Sequence, residues 1–357
     1  MLDPKEGMPA AKIYRKFGPK RKIVLHLGDC FDLLRSLPDN SVDLTITSPP
    51  YCMGKEYERT DRLNHFVEAH WKILPEVVRA TKQGGSICWQ VGYHSRKGII
   101  TPLDFVIHDM MKRWPEMILR NRIIWTFGHG MHAEKRFCGR HETILWYTKG
   151  EDYKFNLDSV RVPQKYPGKR YYRGPKKGEF SCNPLGKNPG DVWELPNVKA
   201  CHVEKTNHPC QFPVALVQRV IRAFTNPDDV VLDPFMGSGT TAATAILESR
   251  RFVGAEIKKK YYKTVIQRCK AAAINALPFR ELEKPIQIPD LNTEVARNPF
   301  VKNAKNLIGN GSKINSSRFD IRFPLTANGI LIKNGSLKRL ESANHFNFYG
   351  QKKKKEG

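Results

Sequence analysis

The chain lacks any apolar run approaching the roughly eighteen residues that a membrane-spanning helix needs. Its opening stretch, MLDPKEGMPAAKIYRKFGPKRK, carries charge but no apolar signal-peptide core. Both absences lead us to expect a soluble, cytoplasmic protein. A cysteine framework is missing too. The 8 cysteines (Cys30, Cys52, Cys88, Cys138, Cys182, Cys201, Cys210 and Cys269) are irregularly spaced, as expected of reduced thiols. "CHVEKTNHPC" gathers Cys201, His202, His208 and Cys210, but this is not the spacing of a zinc finger or ribbon, and no metal is expected. Internal repeats are absent. Acidic residues are scarce, 35 against 60 lysines and arginines, for a formal charge of +25. In a 357-residue chain with 40% hydrophobic content, enough for a sizeable core, that imbalance fits a polyanionic partner. Nucleic acid comes first and an anionic membrane surface second.

What is present alternates. Residues 22–29 read as a strand ending in Gly28-Asp29, and "CFDLLRSLPDN" as a short helix and turn. Residues 42–47 form a second strand. "HFVEAHWKILPEVVRATKQGG" has helical apolar spacing, closed by Gly84-Gly85. "SICWQVG", "NRIIWTF" and "HETILWYTK" are further strands, and "PLDFVIHDMMKRW" is a helix. The rhythm predicts an α/β domain with a largely parallel sheet. It breaks over residues 151–206. There "RVPQKYPGKRYYRGPKKGEFSC" carries Arg161, Lys165, Lys169, Arg170, Arg173, Lys176 and Lys177 interleaved with Tyr166, Tyr171 and Tyr172. A solvated loop is the bland reading of a charge run. Cations and rings together instead suit an insertion that contacts DNA.

Two stretches carry chemistry. In "DLTITSPPY" a β-branched run meets Ser48-Pro49-Pro50-Tyr51. The prolines remove two backbone donors and stop the ladder, leaving a stiff corner with free carbonyls, a hydroxyl before it and a ring after it. That corner can grip a flat base and accept hydrogen bonds from its amino group. In "VVLDPFMGSGTTAATAILESRRFVGAEI" a buried strand ends at Asp233, a Gly237/Gly239 turn follows, and Thr240-Thr241 begin a helix. A second strand ends at Glu256, where a carboxylate can take ribose hydroxyls. The turn has no Walker lysine and departs from dinucleotide spacing. A nucleoside-containing cofactor without a critical pyrophosphate fits better, which points to S-adenosyl-L-methionine.

"TSPPY", "DPFMGSGTT" and the intervening "HPCQFPVALVQRVI" resemble the motifs of the amino-methylating DNA methyltransferases, in the order of their beta class. The resemblance spans residues 22–270. It implies a Rossmann-like, circularly permuted methyltransferase fold, a mostly parallel sheet with helices on both faces, and a basic target-recognition insertion. Asp233, Pro234, Phe235, Gly237, Ser238, Gly239 and Thr240 would shape the cofactor site, with Glu256 on the ribose and Asp29 near the adenine. Ser48, Pro49, Pro50 and Tyr51 would hold a base flipped out of duplex DNA. Lys165, Lys169, Arg170, Arg173, Lys176 and Lys177 would meet the DNA. The expected division is an arm at 1–21, a catalytic half at 22–149, the insertion at 150–206, a cofactor-binding half at 207–276 and a polar basic extension at 277–357.

The resemblance further implies a prokaryotic or phage enzyme, associated with DNA, with a restriction endonuclease of the same site as a companion. Serine before Pro-Pro is commoner among the cytosine-N4 enzymes of this group, so N4 of cytosine is the expected target and N6 of adenine the runner-up. Cytosine-C5 chemistry would use a Pro-Cys nucleophile. Pro209-Cys210 has that dipeptide, but no Glu-Asn-Val tripeptide accompanies it, and Cys210 reads as an ordinary buried thiol. A catalytically inactive DNA-binding module is the reading from outside enzymology. The tail beyond residue 277 is expected to be largely flexible, with a small hairpin in "FDIRFPLTANGILIKNGSLKRL".

Overall fold

The computed structural model describes residues 12–52, 63–96, 98–128, 130, 132–166 and 168–282, together with two strands of the tail. The expectations for the first eleven residues and for most of the tail lie outside the described residues.

In chain order the elements begin with β1 (Ile13–Tyr14), β2 (Ile23–Leu27), α1 (Cys30–Arg35), β3 (Val42–Thr47), α2 (Leu63–Ala80) and β4 (Thr81–Val91). A small hairpin follows, β5 (Tyr93–Arg96) with β6 (Ile99–Pro102), then α3 (Leu103–Met111), β7 (Met117–Thr126), β8 (His141–Lys149) and β9 (Val192–Glu194). The last elements of this unit are α4 (Val214–Phe224), β10 (Val230–Asp233), α5 (Thr240–Leu247), β11 (Arg251–Glu256) and α6 (Lys259–Ala273). A separate unit, from Gln287 onward, contains the antiparallel pair β12 (Ile330–Lys333) and β13 (Ser336–Arg339), within the tail segment expected to form a hairpin.

Nine strands form one sheet in the order β1-β2-β11-β10-β3-β4-β8-β7-β9. Only β8 runs against its neighbours. The sheet is therefore mostly parallel, as the alternation predicts. All six residues of β3 are buried, which is what a strand covered on both faces requires. Alternate residues serve the two sides. Ile23, Leu44, Ile46 and Val231 pack with α4, α5 and α6, while Val24, Ile87, Trp89 and Leu232 pack with α1, α2 and α3.

One boundary differs from the sequence reading. Gly84-Gly85 do not close α2; they lie inside β4. Val42 pairs with Thr81 and Leu44 with Ser86, so residues 82–85 bulge opposite the single residue Asp43. Asp43 is buried and holds Lys82 at 2.7 Å, while Thr81 caps the end of α2 by donating to the Val77 carbonyl. Strand pairing resumes across glycines that look, in sequence, like a helix stop. Among the described residues no helix is long and apolar enough to cross a membrane.

Candidate active site

The carboxyl ends of four adjacent parallel strands, β2, β11, β10 and β3, make one rim. In a doubly wound sheet this is where ligands bind. Asp233, at the end of β10, is only 1% exposed. It accepts from the hydroxyls of Thr47 and Thr241, both at 2.6 Å, and from the Phe235 N–H at 3.1 Å. Burial pushes its carboxyl up to about 6, against the opposing pull of these donors. Thr47 directly precedes the Ser48–Tyr51 corner. The two motifs, 186 residues apart in sequence, are thus joined by one hydrogen bond.

The turn after Asp233 is built tightly. Gly237 and Gly239 have φ of +49° and +76°, a left-handed backbone that side chains resist. A Cβ on Gly239 would stand 2.8 Å from Cγ1 of Val265 and 3.1 Å from its Cα, so α6 could not approach as it does. A Cβ on Gly237 would lie 3.2 Å from Nε2 of His208. Ser238 and Thr240 turn inward to Arg268, whose Nη1 lies 3.1 Å from the Ser238 carbonyl and 2.9 Å from the Thr240 hydroxyl. These two residues brace the turn from behind. Phe235 meets Trp89 edge-on at 6.4 Å between centroids.

Glu256 ends β11, largely buried. Its carboxyl accepts from the backbone N–H of Lys258 at 2.7 Å and from those of Gly237 and Ile257. Burial first, and then the charge of Asp233, raise it to about 7. Asp29 sits on the same rim, where Gly28 N–H donates to the Glu256 carbonyl at 3.1 Å. Its carboxylate is exposed and caps α1 by accepting from Phe31 N–H at 2.9 Å. Flanking Glu256 are two exposed apolar side chains, Leu27 at 44% and Ile257 at 48%. A turn opened by two glycines, an acceptor carboxyl and apolar walls suit a nucleoside cofactor with a flat ring and ribose hydroxyls.

At the end of β3, Pro49 is buried, Ser48, Pro50 and Tyr51 are half-buried, and Cys52 takes a left-handed φ of +52°. The Tyr51 hydroxyl is hydrogen-bonded by the Ser48 side chain and receives the Gln90 amide at 3.0 Å. The other hydrogen of that amide goes to Glu142 Oε2. Burial raises the Glu142 carboxyl to about 7, and the Tyr51 phenol is raised well above its ordinary value by burial and by Glu142. Sequence reasoning missed Gln90 and Glu142. Their signals were a single amide among the buried residues Ile87 to Val91 and a carboxylate opening β8 directly beside it.

In the insertion, Lys165, Lys169, Arg173, Lys176 and Lys177 are exposed, with Tyr166, Tyr171 and Tyr172 beside them. Arg170 is exposed as well, but its guanidinium also serves the hairpin, 4.0 Å from the Phe180 ring and donating to the Gly178 carbonyl at 2.5 Å. A cavity of about 550 Å³ is lined by Tyr166, Lys169, Tyr171 and Lys187. Farther along, β9 returns the chain to the sheet edge beside β7, with Trp193 and Leu195 in the main core. The Cys201-to-Cys210 cluster does not converge. His208 packs on Tyr261 at 4.4 Å and its Nδ1 bonds the Cys210 carbonyl, while burial lowers its ring to about 4. Cys210 is exposed, contrary to the buried thiol expected: it stands in the loop before α4, its carbonyl bonded to His208 and its thiol close enough to Tyr51 to act on that phenol.

A mostly parallel sheet with a glycine turn and a Ser-Pro-Pro-Tyr corner side by side on one rim is compatible with a methyltransferase acting on nucleic acid. A family model described as DNA methylase, of the N6/N4 group, matches residues 42–267. The chain is 46% identical over 271 residues to the type II methyltransferase M.BglII of Bacillus subtilis, covering 75% of this chain and 74% of that one. It is 32% identical to the DNA adenine methyltransferase YhdJ of Escherichia coli K12, over 72% of this chain and 86% of that one. The fold matches a DNA modification methylase of Thermus thermophilus, TTHA0409, in complex with S-adenosyl-L-methionine. The TM-score is 0.50 and the identity 27%, covering 70% and 95% of the two chains. The chain belongs to the N6/N4 DNA methylase family. It is a site-specific DNA methyltransferase, and S-adenosyl-L-methionine is its cofactor.

Proposed function

We propose that the chain transfers the methyl group to the exocyclic N4 amine of cytosine in duplex DNA, directly and on a flipped base. The observation that carries this reading is the Thr47–Asp233 hydrogen bond, which sets the Ser48–Tyr51 corner against the cofactor turn. When bound, S-adenosyl-L-methionine would supply an electrophilic methyl, which the amine nitrogen would take as the sulfur keeps the electron pair of the broken bond. Gly237 and Gly239 let the backbone come close to the cofactor, Glu256 accepts from its ribose, and Leu27 and Ile257 flank its adenine. Asp233 supports the turn from below, and Asp29 lies on the adenine side of the rim.

The amine's lone pair is delocalised into the base, which makes it a poor nucleophile. The Ser48 hydroxyl and Pro49 carbonyl accept its two hydrogens, so the nitrogen becomes more tetrahedral and its developing positive charge is stabilised. Proline rigidity at 49 and 50 keeps those acceptors in place beforehand. Tyr51 presents its ring to the flipped base, its hydroxyl held by Gln90 and Ser48. The nitrogen sheds one proton to solvent after transfer.

Lys165, Lys169, Arg173, Lys176 and Lys177 hold phosphates, and Arg170 shapes the hairpin that carries them. The uncharged Ser48, one carbon shorter than aspartate, favours cytosine. The likeness to an adenine methyltransferase makes N6 of adenine the second reading. A restriction endonuclease of the same site is the companion this reading proposes, tested by whether methylated DNA resists that nuclease. Mass spectrometry of nucleosides from DNA treated with enzyme and labelled cofactor tests the base. Label in N4-methylcytidine is expected; label in N6-methyladenosine would move the assignment to adenine, and label in 5-methylcytidine would refute the mechanism.

A further inference from the structure

Phe137 is 98% exposed, in the loop 127–140 that joins β7 to β8. A single exposed ring is ordinary on a protein surface; what singles this one out is its place in the fold and its neighbours. Because β7 runs parallel to β3 and β4, this loop leaves the sheet at the same edge as the Ser48–Tyr51 corner.

The loop is anchored. Phe127 N–H donates to the Arg140 carbonyl at 3.0 Å, closing its base, and Ala133 N–H reaches Cys138 Sγ at 3.4 Å. Gly139 lies against Tyr93: a Cβ there would stand 2.5 Å from the Tyr93 hydroxyl. The Arg136 guanidinium covers the same ring at 5.5 Å. Tyr93 follows Gly92, whose own Cβ position would be 3.3 Å from Cε2 of Tyr51 and 3.4 Å from Glu142. A short run of contacts therefore leads from Tyr51 through Gly92 and Tyr93 to the residues on either side of Phe137. Along the chain on either side of Phe137 stand Lys135, Arg136 and Arg140 against one acid, Glu134. The flank is cationic and suits phosphates.

We propose that Phe137 is a wedge that enters the base stack of duplex DNA at the target pair, filling the space vacated by the flipped base. The inference rests on the reading that the base leaves the stack for the Ser48–Tyr51 corner. An apolar side chain inserted at a base step offsets part of the unstacking cost, and the cations on its loop hold the backbone on either side. The proposal adds to that corner a residue that touches the duplex left behind rather than the base being methylated.

The test uses the full chain and a duplex bearing its methylation site, identified by modified-base sequencing, with the target base either paired or opposite an abasic site. A fluorescent base analogue at the target reports extrusion. Phe137→Ala removes only an exposed ring, so the variant keeps its thermal midpoint and cofactor affinity. It should lose at least about tenfold in turnover and most of the fluorescence rise on the paired duplex. On the abasic-opposed duplex, where extrusion is nearly free, it should approach wild type, and Phe137→Trp should retain activity on both. Equal losses on the two duplexes, or no loss on the paired one, would overturn the wedge. A wild-type enzyme that gives no fluorescence rise would instead overturn the flipping reading, and the wedge with it.

Discussion

Glu256 and Glu142 are both partly or largely buried carboxyls raised to about 7, but they answer to different partners. On the proposed reading, Glu256→Ala removes the acceptor for the cofactor ribose. Hydrogen bonds to a charged group are worth about 1.5–3 kcal/mol, so calorimetry should show cofactor affinity weakened roughly tenfold to a hundredfold. Glu142 faces Gln90, and beyond it Tyr51, with the charge of Lys199 nearby. Its folded value lies above the usual carboxylate 4.5, so between about 4.5 and about 7 the native state binds more protons than the unfolded chain. Stability from this group therefore falls as pH rises through that window, and the loss is complete above it. His70 and His208, held neutral near 4 by burial, act in the opposite sense at the acid end, so the comparison must be against a variant. The thermal midpoint of Glu142→Gln relative to wild type should rise between pH 5 and pH 8; a pH-independent difference would refute a protonated Glu142. These carboxyls show how far single residues are legible. That Glu256 ends a strand beside the glycine turn could be read along the chain, whereas the meeting of Glu142 with Gln90 arises only because β8 runs antiparallel beside β4.

At the scale of elements, the turn before α5 and the hairpin of the insertion make contrasting demands. Gly239→Ala places a methyl 2.8 Å from Val265 and strains a left-handed backbone. Such strain costs about 1–3 kcal/mol, so thermal unfolding should shift downward and cofactor binding weaken with it. In the insertion, replacing Lys165, Lys169, Arg173, Lys176 and Lys177 should flatten the salt dependence of DNA binding, by about 0.9 in slope for each phosphate no longer neutralised. Cofactor affinity should be unchanged. Arg170→Ala should in addition loosen the loop around Phe180 and expose it to proteolysis, because that guanidinium also packs within the hairpin. Strands such as β3 and β8 were legible to the residue, since their β-branched and aromatic runs start and stop at polar or proline boundaries. The β4 boundary was not, because a bulge opposite Asp43 uses the same glycines that end helices. Arg170's packing on Phe180 was equally hidden, since an interleaved basic and aromatic run does not say which pairs close on themselves.

Across the whole molecule, the two chemical motifs are distant in sequence and adjacent in the sheet, because β10 slots between β3 and β11. Alternating strands and helices foretold the layers, and the resemblance foretold the neighbourhood. The bridge from Thr47 to Asp233, and the buried Arg268 behind Ser238 and Thr240, depend on side chains meeting across elements and could not be read along the chain. The charge of +25 belongs to this scale too, since it favours approach to duplex DNA whichever surface then makes the contacts. The central claim is that Ser48, Pro49, Pro50 and Tyr51 hold a flipped cytosine for attack by its amine. Its most direct test is mass spectrometry of nucleosides from duplex DNA incubated with labelled cofactor and either wild-type enzyme or Tyr51→Ala. The account predicts label in N4-methylcytidine with the wild type, and loss of most turnover in the variant while its cofactor affinity persists. Label in 5-methylcytidine, or full turnover without the Tyr51 ring, would contradict it.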